Sequence, residues 1–218
     1  SPVDYREAGL ENNAALILGL SRTSRPPDVD IMEGGRPLAE RYVCIATQAT
    51  SQNKYWNNPF GWLETIRFLK KHGYRVICID RSRVNGVGTI WNNIPYGAED
   101  FTGALPLAER ARWLRHAEFF IGLSSGLSWL AWAVGTPIVL ISGFTRPDNE
   151  FETPYRVINW NACNGCSNDI RCQLDPADYL WCPRQSGTDK QFECTRLISS
   201  QQVIDTIMKI PDFEGVSE

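Results

Sequence analysis

Five of the seven cysteines in this 218-residue sequence fall between positions 163 and 194, and their spacing is that of metal ligands. Cys163-Asn164-Gly165-Cys166 sets two thiols on one tight turn. Cys182 and Cys194 follow, giving the pattern C-x2-C-x15-C-x11-C. Two sulfurs from a turn and two from later in the chain complete a tetrahedral four-thiolate site. Soft sulfur ligands suit zinc and iron alike, and spacing does not separate the two. Cys172 is a spare that can replace one of the four. Four protein ligands leave no open position for a substrate, so a metal held here is structural. The plainer alternative is a loop of unpaired thiols. Cys44 and Cys78 stand alone in apolar runs, where a thiol acts as a small hydrophobe. An odd cysteine count without a signal peptide argues for a reducing compartment rather than a disulfide framework.

A second chemistry is suggested by the run from Gly122 to Pro137, which reads strand, Ser124-Ser125-Gly126, apolar helix, Gly135 and next strand. Such a turn aims free N–H groups and a helix N-terminus at the carboxyl edge of a sheet, where anions bind. Ser124 and Ser125 add hydroxyl donors, and Gly126 allows a phosphate to approach closely. The same residues also serve as an ordinary helix cap. The loop from Thr47 to Trp62 follows an earlier strand and opens a helix, so it shares that edge. Within it Lys54 offers a compact ammonium beside aromatic neighbours, against the commoner fate of a solvated surface lysine. Asp80 ends a strand, where a carboxylate meets a ribose hydroxyl or caps a turn.

These residues need a scaffold, and the hydrophobic pattern supplies one. Tyr42–Thr47, Arg75–Asp80, Glu118–Gly122 and Pro137–Ser142 are short apolar runs of strand type, apolar on both faces as in a parallel sheet. Between them lie helical patterns: Trp62, Leu63, Ile66 and Leu69 up to a stop at Gly73; Leu107, Ala111 and Leu114; and Gly126–Val134, apolar nearly all round and so expected to be buried. Strands alternating with helices predict an α/β fold, a Rossmann-like parallel sheet with flanking helices. Residues 37–160 make that domain. A lead-in over 1–36 holds a helical pattern from Glu7 to Leu20 and a stiff Arg25-Pro26-Pro27-Asp28 linker. Residues 161–196 form a Cys-rich segment with little periodicity, held by something other than a core. Residues 197–218 are a closing helix, capped by Ser199 or Ser200, and a tail.

Composition excludes other classes. Apolar residues are 43% and charged residues 22%, with a net charge of -3, so no basic field recruits nucleic acid. Over residues 161–194 Asp169, Asp175, Asp178, Asp189 and Glu193 outweigh Arg171, Arg184 and Lys190. No apolar stretch reaches membrane-spanning length. Ser1-Pro2-Val3-Asp4 is not a signal peptide and lacks a starting methionine, which suggests a fragment or processed product. His72, expected exposed, and His116 each end a helix outside any motif, so no catalytic histidine is assigned. Trp129 and Trp132 are expected in the core. Trp56 and Trp91, in loops, are placed to border a nucleotide or an acceptor peptide.

Ahead of the Ser-Ser-Gly turn stand Asp100-Phe101-Thr102-Gly103, Leu107-Ala108-Glu109-Arg110-Ala111 and Ala117-Glu118-Phe119-Phe120-Ile121. This succession resembles the ADP-heptose-dependent glycosyltransferases of the GT-B class. Their donor domain carries a similar Asp-Thr/Ser-Gly-x-x-His-x-Ala-x-x-x-Gly-x-Pro stretch. Ser124 stands where that family has Asp and Trp129 where it has His, so acid–base work is not expected at either position. With the Lys54 loop and Gly73–Asp80, the chain is most similar to the C-terminal half of autotransporter heptosyltransferases, from about residue 10 onward. The resemblance implies that Lys54 contacts the donor diphosphate, neutralising charge on the leaving ADP; with it Thr47, Ser51, Asp80, Ser124, Ser125 and Gly126 are the expected donor-binding residues. It also implies a four-cysteine iron site at Cys163, Cys166, Cys182 and Cys194. Such enzymes move heptose from ADP-heptose to serine hydroxyls of bacterial autotransporter adhesins in the cytoplasm, and assemble into homo-oligomeric rings. Their general base comes from an N-terminal domain, so no catalytic residue is assigned here. The chain alone is expected to bind nucleotide weakly and not to turn over. A lipopolysaccharide heptosyltransferase, which has no reason to carry the Cys cluster, and a non-catalytic metal-stabilised binding module are the alternatives.

Overall fold

A computed structural model of the chain describes residues 4–21, 25–27, 29 and 34–213. Ser1–Val3 and Asp28 of the expected linker lie outside the described residues. The lead-in pattern forms two helices, α1 (Tyr5–Ala8) and α2 (Leu10–Leu18), rather than one. Gly9 separates them with φ 74°, and a Cβ there would stand 2.3 Å from the Asp148 carbonyl oxygen. The helix breaks where the chain rests on its neighbour.

The main body then runs β1 (Tyr42–Ile45), α3 (Gly61–Lys71), β2 (Arg75–Cys78), a hairpin of β3 (Val84–Val87) and β4 (Ile90–Asn93), and β5 (Glu99–Asp100). It continues through α4 (Leu107–His116), β6 (Phe120–Leu123), α5 (Gly126–Ala133), β7 (Ile138–Ile141) and β8 (Arg156–Val157). Two short helices close the chain, α6 (Glu193–Arg196) and α7 (Ser200–Ile207). Ser199 caps α7 in a capping box with Gln202.

Six strands form one parallel sheet in the order β5-β2-β1-β6-β7-β8. Side chains alternate between its faces. Val43, Ile45, Val76 and Cys78 pack with Ile66 and Leu69 of α3 and Val203 and Ile207 of α7. Tyr42, Cys44, Ile77 and Phe120 pack with Trp113 and Leu114 of α4 and Ala131 of α5. Both faces are covered, which is why the strands read as continuous apolar runs.

Several expectations need correction. α5 is half-buried, not buried all round: only Ser128 and Ala131 are fully enclosed, while Trp129 and Trp132 pack against Phe151 at the rim. Trp56 is a core residue, 4% exposed, stacked edge-on against Trp62 and donating its indole N–H to the Ile198 carbonyl. Trp91 stands exposed on β4, in a hairpin where a loop was expected. His72 is half-buried, its ring against Phe68 and Phe213.

Candidate functional site: a cleft at the switch point of the sheet

Chain direction across the sheet reverses between β1 and β6. β1 leads outward to β2 on one side, and β6 leads to β7 on the other. At such a point the loops leaving the carboxyl ends diverge and open a crevice. Here the crevice is a cavity of about 790 Å³ lined by Lys54, Asp80, Asn85, Arg110, Ser124, Ser125 and Gly126 among others. A second cavity of about 300 Å³ shares Lys54 and the Ser124–Gly126 turn, and extends toward Trp129, Thr145 and Asn149. Lys54 and the turn therefore stand between two compartments of one cleft.

Sequence placed Lys54 and the Ser-Ser-Gly turn on one edge, and the structure brings them together. Lys54 ends a single 3-10 turn, Gln52–Lys54, and its Nζ stands 5.7 Å over the Phe144 ring. Burial pushes its pKa below the ordinary lysine value, partly offset by the Glu150 carboxylate. An ammonium held in this way gains from any anion that enters. Across the cleft, Ser125 is the N-cap residue of α5, yet its side chain makes no capping hydrogen bond. Its Oγ is buried without a partner among the described residues. Ser124 Oγ accepts from Thr145 Oγ1 at 3.2 Å. A Cβ on Gly126 would meet nothing within 4 Å, so the protein's own packing does not require glycine there. The free space lies over the helix N-terminus, where an anion would sit.

Thr47 and Ser51 do not line the cavity. Thr47 donates its amide and hydroxyl to Asp80 Oδ2, and Gln48 N–H donates to Oδ1. Asp80, 1% exposed, is therefore spent as a brace between the ends of β1 and β2. Burial raises its pKa, and those hydrogen bonds oppose the shift. Ser51 Oγ donates to Asn53 Oδ1 at 2.7 Å.

Arg110 was missed by the sequence reading. Its guanidinium lies under the cavity, 7% exposed, and donates to the carbonyls of Ile79, Leu105, Asp80 and Gly103. Among the described residues no carboxylate pairs with it. The signal available was an arginine on the inner face of α4, between Leu107, Ala111 and Leu114.

The cysteine-rich segment packs against the end of β7. Gly165 N–H donates to the Gly143 carbonyl at 2.9 Å and Ser167 N–H to that of Phe144 at 3.1 Å. Cys163, Cys166 and Cys194 each lie near enough to Cys182 for the sulfurs to disfavour one another's ionisation, and Cys172 acts on Cys166 in the same way. Burial pushes Cys166 and Cys194 up to about 12. All seven cysteines are free thiols. Among the described residues, no group of three or more Cys, His, Asp or Glu side chains is drawn into a metal-holding arrangement. The expected four-cysteine metal site is therefore not formed by the thiols as they stand.

Comparison with known proteins gives the family. The glycosyltransferase family 9 (heptosyltransferase) pattern matches residues 8–175. Autotransporter heptosyltransferase Aah of Escherichia coli is 56% identical over 212 residues, 97% of this chain and 54% of that protein. The inactive autotransporter heptosyltransferase BimC of Burkholderia thailandensis is 48% identical over 205 residues, 93% of this chain and 48% of that protein. The crystal structure of TibC from E. coli, a dodecameric iron-containing heptosyltransferase in complex with ADP-D-beta-D-heptose, superposes with a TM-score of 0.93 at 56% identity, over 96% of this chain and 55% of that one. The chain spans about half the length of the curated relatives it matches. Parallel sheet, switch-point cleft and sequence match agree: the chain belongs to glycosyltransferase family 9, the heptosyltransferases.

Proposed function

We propose that the chain is the donor-binding part of a glycosyltransferase that moves heptose from ADP-heptose to serine hydroxyls of a bacterial autotransporter adhesin. The observation that carries this reading is that Lys54 and the Ser124–Gly126 turn, with its unpartnered Ser125 hydroxyl, line one cleft at the sheet's switch point. A diphosphate bound between them would meet an ammonium on one side and the N-terminus of α5 on the other. Charge grows on the leaving ADP as its bond to the anomeric carbon breaks, and both groups stabilise it there. Ser124, Ser125 and Gly126 border the donor directly. Asp80, braced by Thr47, shapes the floor, and Ser51 acts on the loop from outside the cleft. No general base is assigned within the chain. Hydrogen exchange tests the site: ADP-heptose should protect the amides of residues 48–54 and 124–127, and no protection at either segment would contradict the reading.

Residues 37–160 form the donor domain in this reading, after the lead-in 1–36. Cys163, Cys166, Cys182 and Cys194 hold iron in segment 161–196, with 197–218 as closing helix and tail. Iron is favoured over zinc by the iron-containing relative TibC. It would cross-link the segment without taking part in transfer. The dodecameric TibC likewise supports a ring-like homo-oligomer. No helix of the described residues is long and apolar enough to cross a membrane, and the proposed place of action is the bacterial cytoplasm, before export of the adhesin.

A second reading is favoured by BimC, whose name records an inactive protein at 48% identity. Under it the chain binds nucleotide sugar without transfer. In a protein of the relatives' full length that carries this chain, ADP release on adding an acceptor adhesin supports the enzyme, and binding without release supports the second reading.

A further inference from the structure

The loop that carries Lys54 is tied to the cysteine-rich segment by a row of hydrogen bonds. Gln52 N–H donates to the Tyr179 carbonyl at 2.9 Å, and Asn53 Nδ2 donates to the Trp181 carbonyl at 2.8 Å. Asn57 Nδ2 reaches Thr195 Oγ1 at 2.9 Å. Asn53 is 3% exposed, and both ends of its amide are engaged, because Oδ1 accepts from Ser51 Oγ. A second path starts at the ammonium itself. Lys54 Nζ lies over Phe144, and Phe144 meets Trp181 edge-on with ring centroids 5.7 Å apart and planes at 84°. The Asn53 bond and this ring contact both end on Trp181, the neighbour of Cys182.

We propose that Asn53 is a positioning residue for Lys54: its bond to the Trp181 carbonyl fixes the loop from which the ammonium reaches the diphosphate. Order in the cysteine-rich segment thereby sets the affinity for the phosphate part of the donor. This rests on the diphosphate role of Lys54 proposed above. Lysine is a long, flexible side chain, so its backbone anchor decides how much of its charge acts at one place. A misplacement of about 1 Å is enough to weaken such a contact. A residue that merely satisfied a buried carbonyl would affect stability without distinguishing one part of the ligand from another.

The test is calorimetric titration of the purified full chain with ADP and with adenosine, using Asn53→Ala, Lys54→Met and the double variant. Asn53→Ala should weaken ADP roughly tenfold and leave adenosine unchanged. The double variant should bind ADP about as Lys54→Met does, because the two changes remove one interaction. Equal losses for ADP and adenosine, or additive losses in the double variant, overturn the inference. Should Asn53→Ala not fold, Ser51→Ala replaces it. That change, at the half-buried Ser51, takes the donor from Asn53 Oδ1, and it should weaken ADP selectively to a smaller degree; undiminished ADP affinity overturns the inference. Lys54→Met binding ADP as the natural chain does would overturn the diphosphate reading together with the inference. Lys54→Met weakening ADP while Asn53→Ala does not would overturn the inference alone.

Discussion

Thr47 gives both its amide and its hydroxyl hydrogen to one oxygen of Asp80, at 2.8 and 2.9 Å, across 33 residues of sequence. Gln48 N–H takes the other oxygen at 3.2 Å. The carboxylate thus fastens the loop after β1 to the end of β2, directly beneath the cleft. In Asp80→Asn one acceptor oxygen becomes an NH2 donor facing an N–H. A buried donor left without an acceptor costs about 1–3 kcal/mol. Urea denaturation should show a loss of that size, and an unchanged midpoint would contradict the bracing role.

Lys54 should make donor binding depend on pH. Its pKa is lowered in the empty site by burial, and a bound diphosphate favours the charged ammonium and raises it. The bound state therefore holds its proton more tightly than the free state. ADP affinity should be full below the depressed free-site value and fall as pH rises through it. Lys54→Met should abolish that alkaline loss. The same shift has a consequence for stability. The unfolded chain binds the lysine proton more tightly than the empty folded chain, so at neutral pH the charge disfavours folding, and the penalty fades as pH rises. Lys54→Met should raise Tm at neutral pH while weakening ADP; a lowered Tm would contradict the sign.

Gly143 bears on the proposed iron site. A Cβ there would stand 2.5 Å from the Cys194 carbonyl oxygen, a backbone atom that cannot swing aside. Gly143→Ala should push Cys194 away from the other thiols. Elemental analysis should find iron well below that of the natural chain, with a lower Tm. Full iron content in the variant would place the ligands elsewhere.

The central strands were legible because β1, β2, β6 and β7 are apolar on both faces, a pattern that survives without knowledge of their partners. Lys54 and the Ser124–Gly126 turn were legible because each follows such a strand. The hairpin was not, since Val84-Asn85-Gly86-Val87 offers no apolar run and is fixed by its partner, with Gly86 tight against the Ile90 carbonyl. Trp56 read as a loop aromatic because its hydrogen-bond partner, Ile198, lies 142 residues away. The carbonyl cage around Arg110 and the Thr47 brace on Asp80 were hidden for the same reason. Each is a set of polar side-chain contacts that leaves no periodicity.

Titration calorimetry of ADP-heptose against the natural chain and Lys54→Met tests the central claim most directly. A charge-assisted contact contributes about 1.5–3 kcal/mol, so the variant should bind roughly tenfold to a hundredfold more weakly. Equal affinity in the two proteins, or no binding by the natural chain, would contradict a diphosphate site built on Lys54.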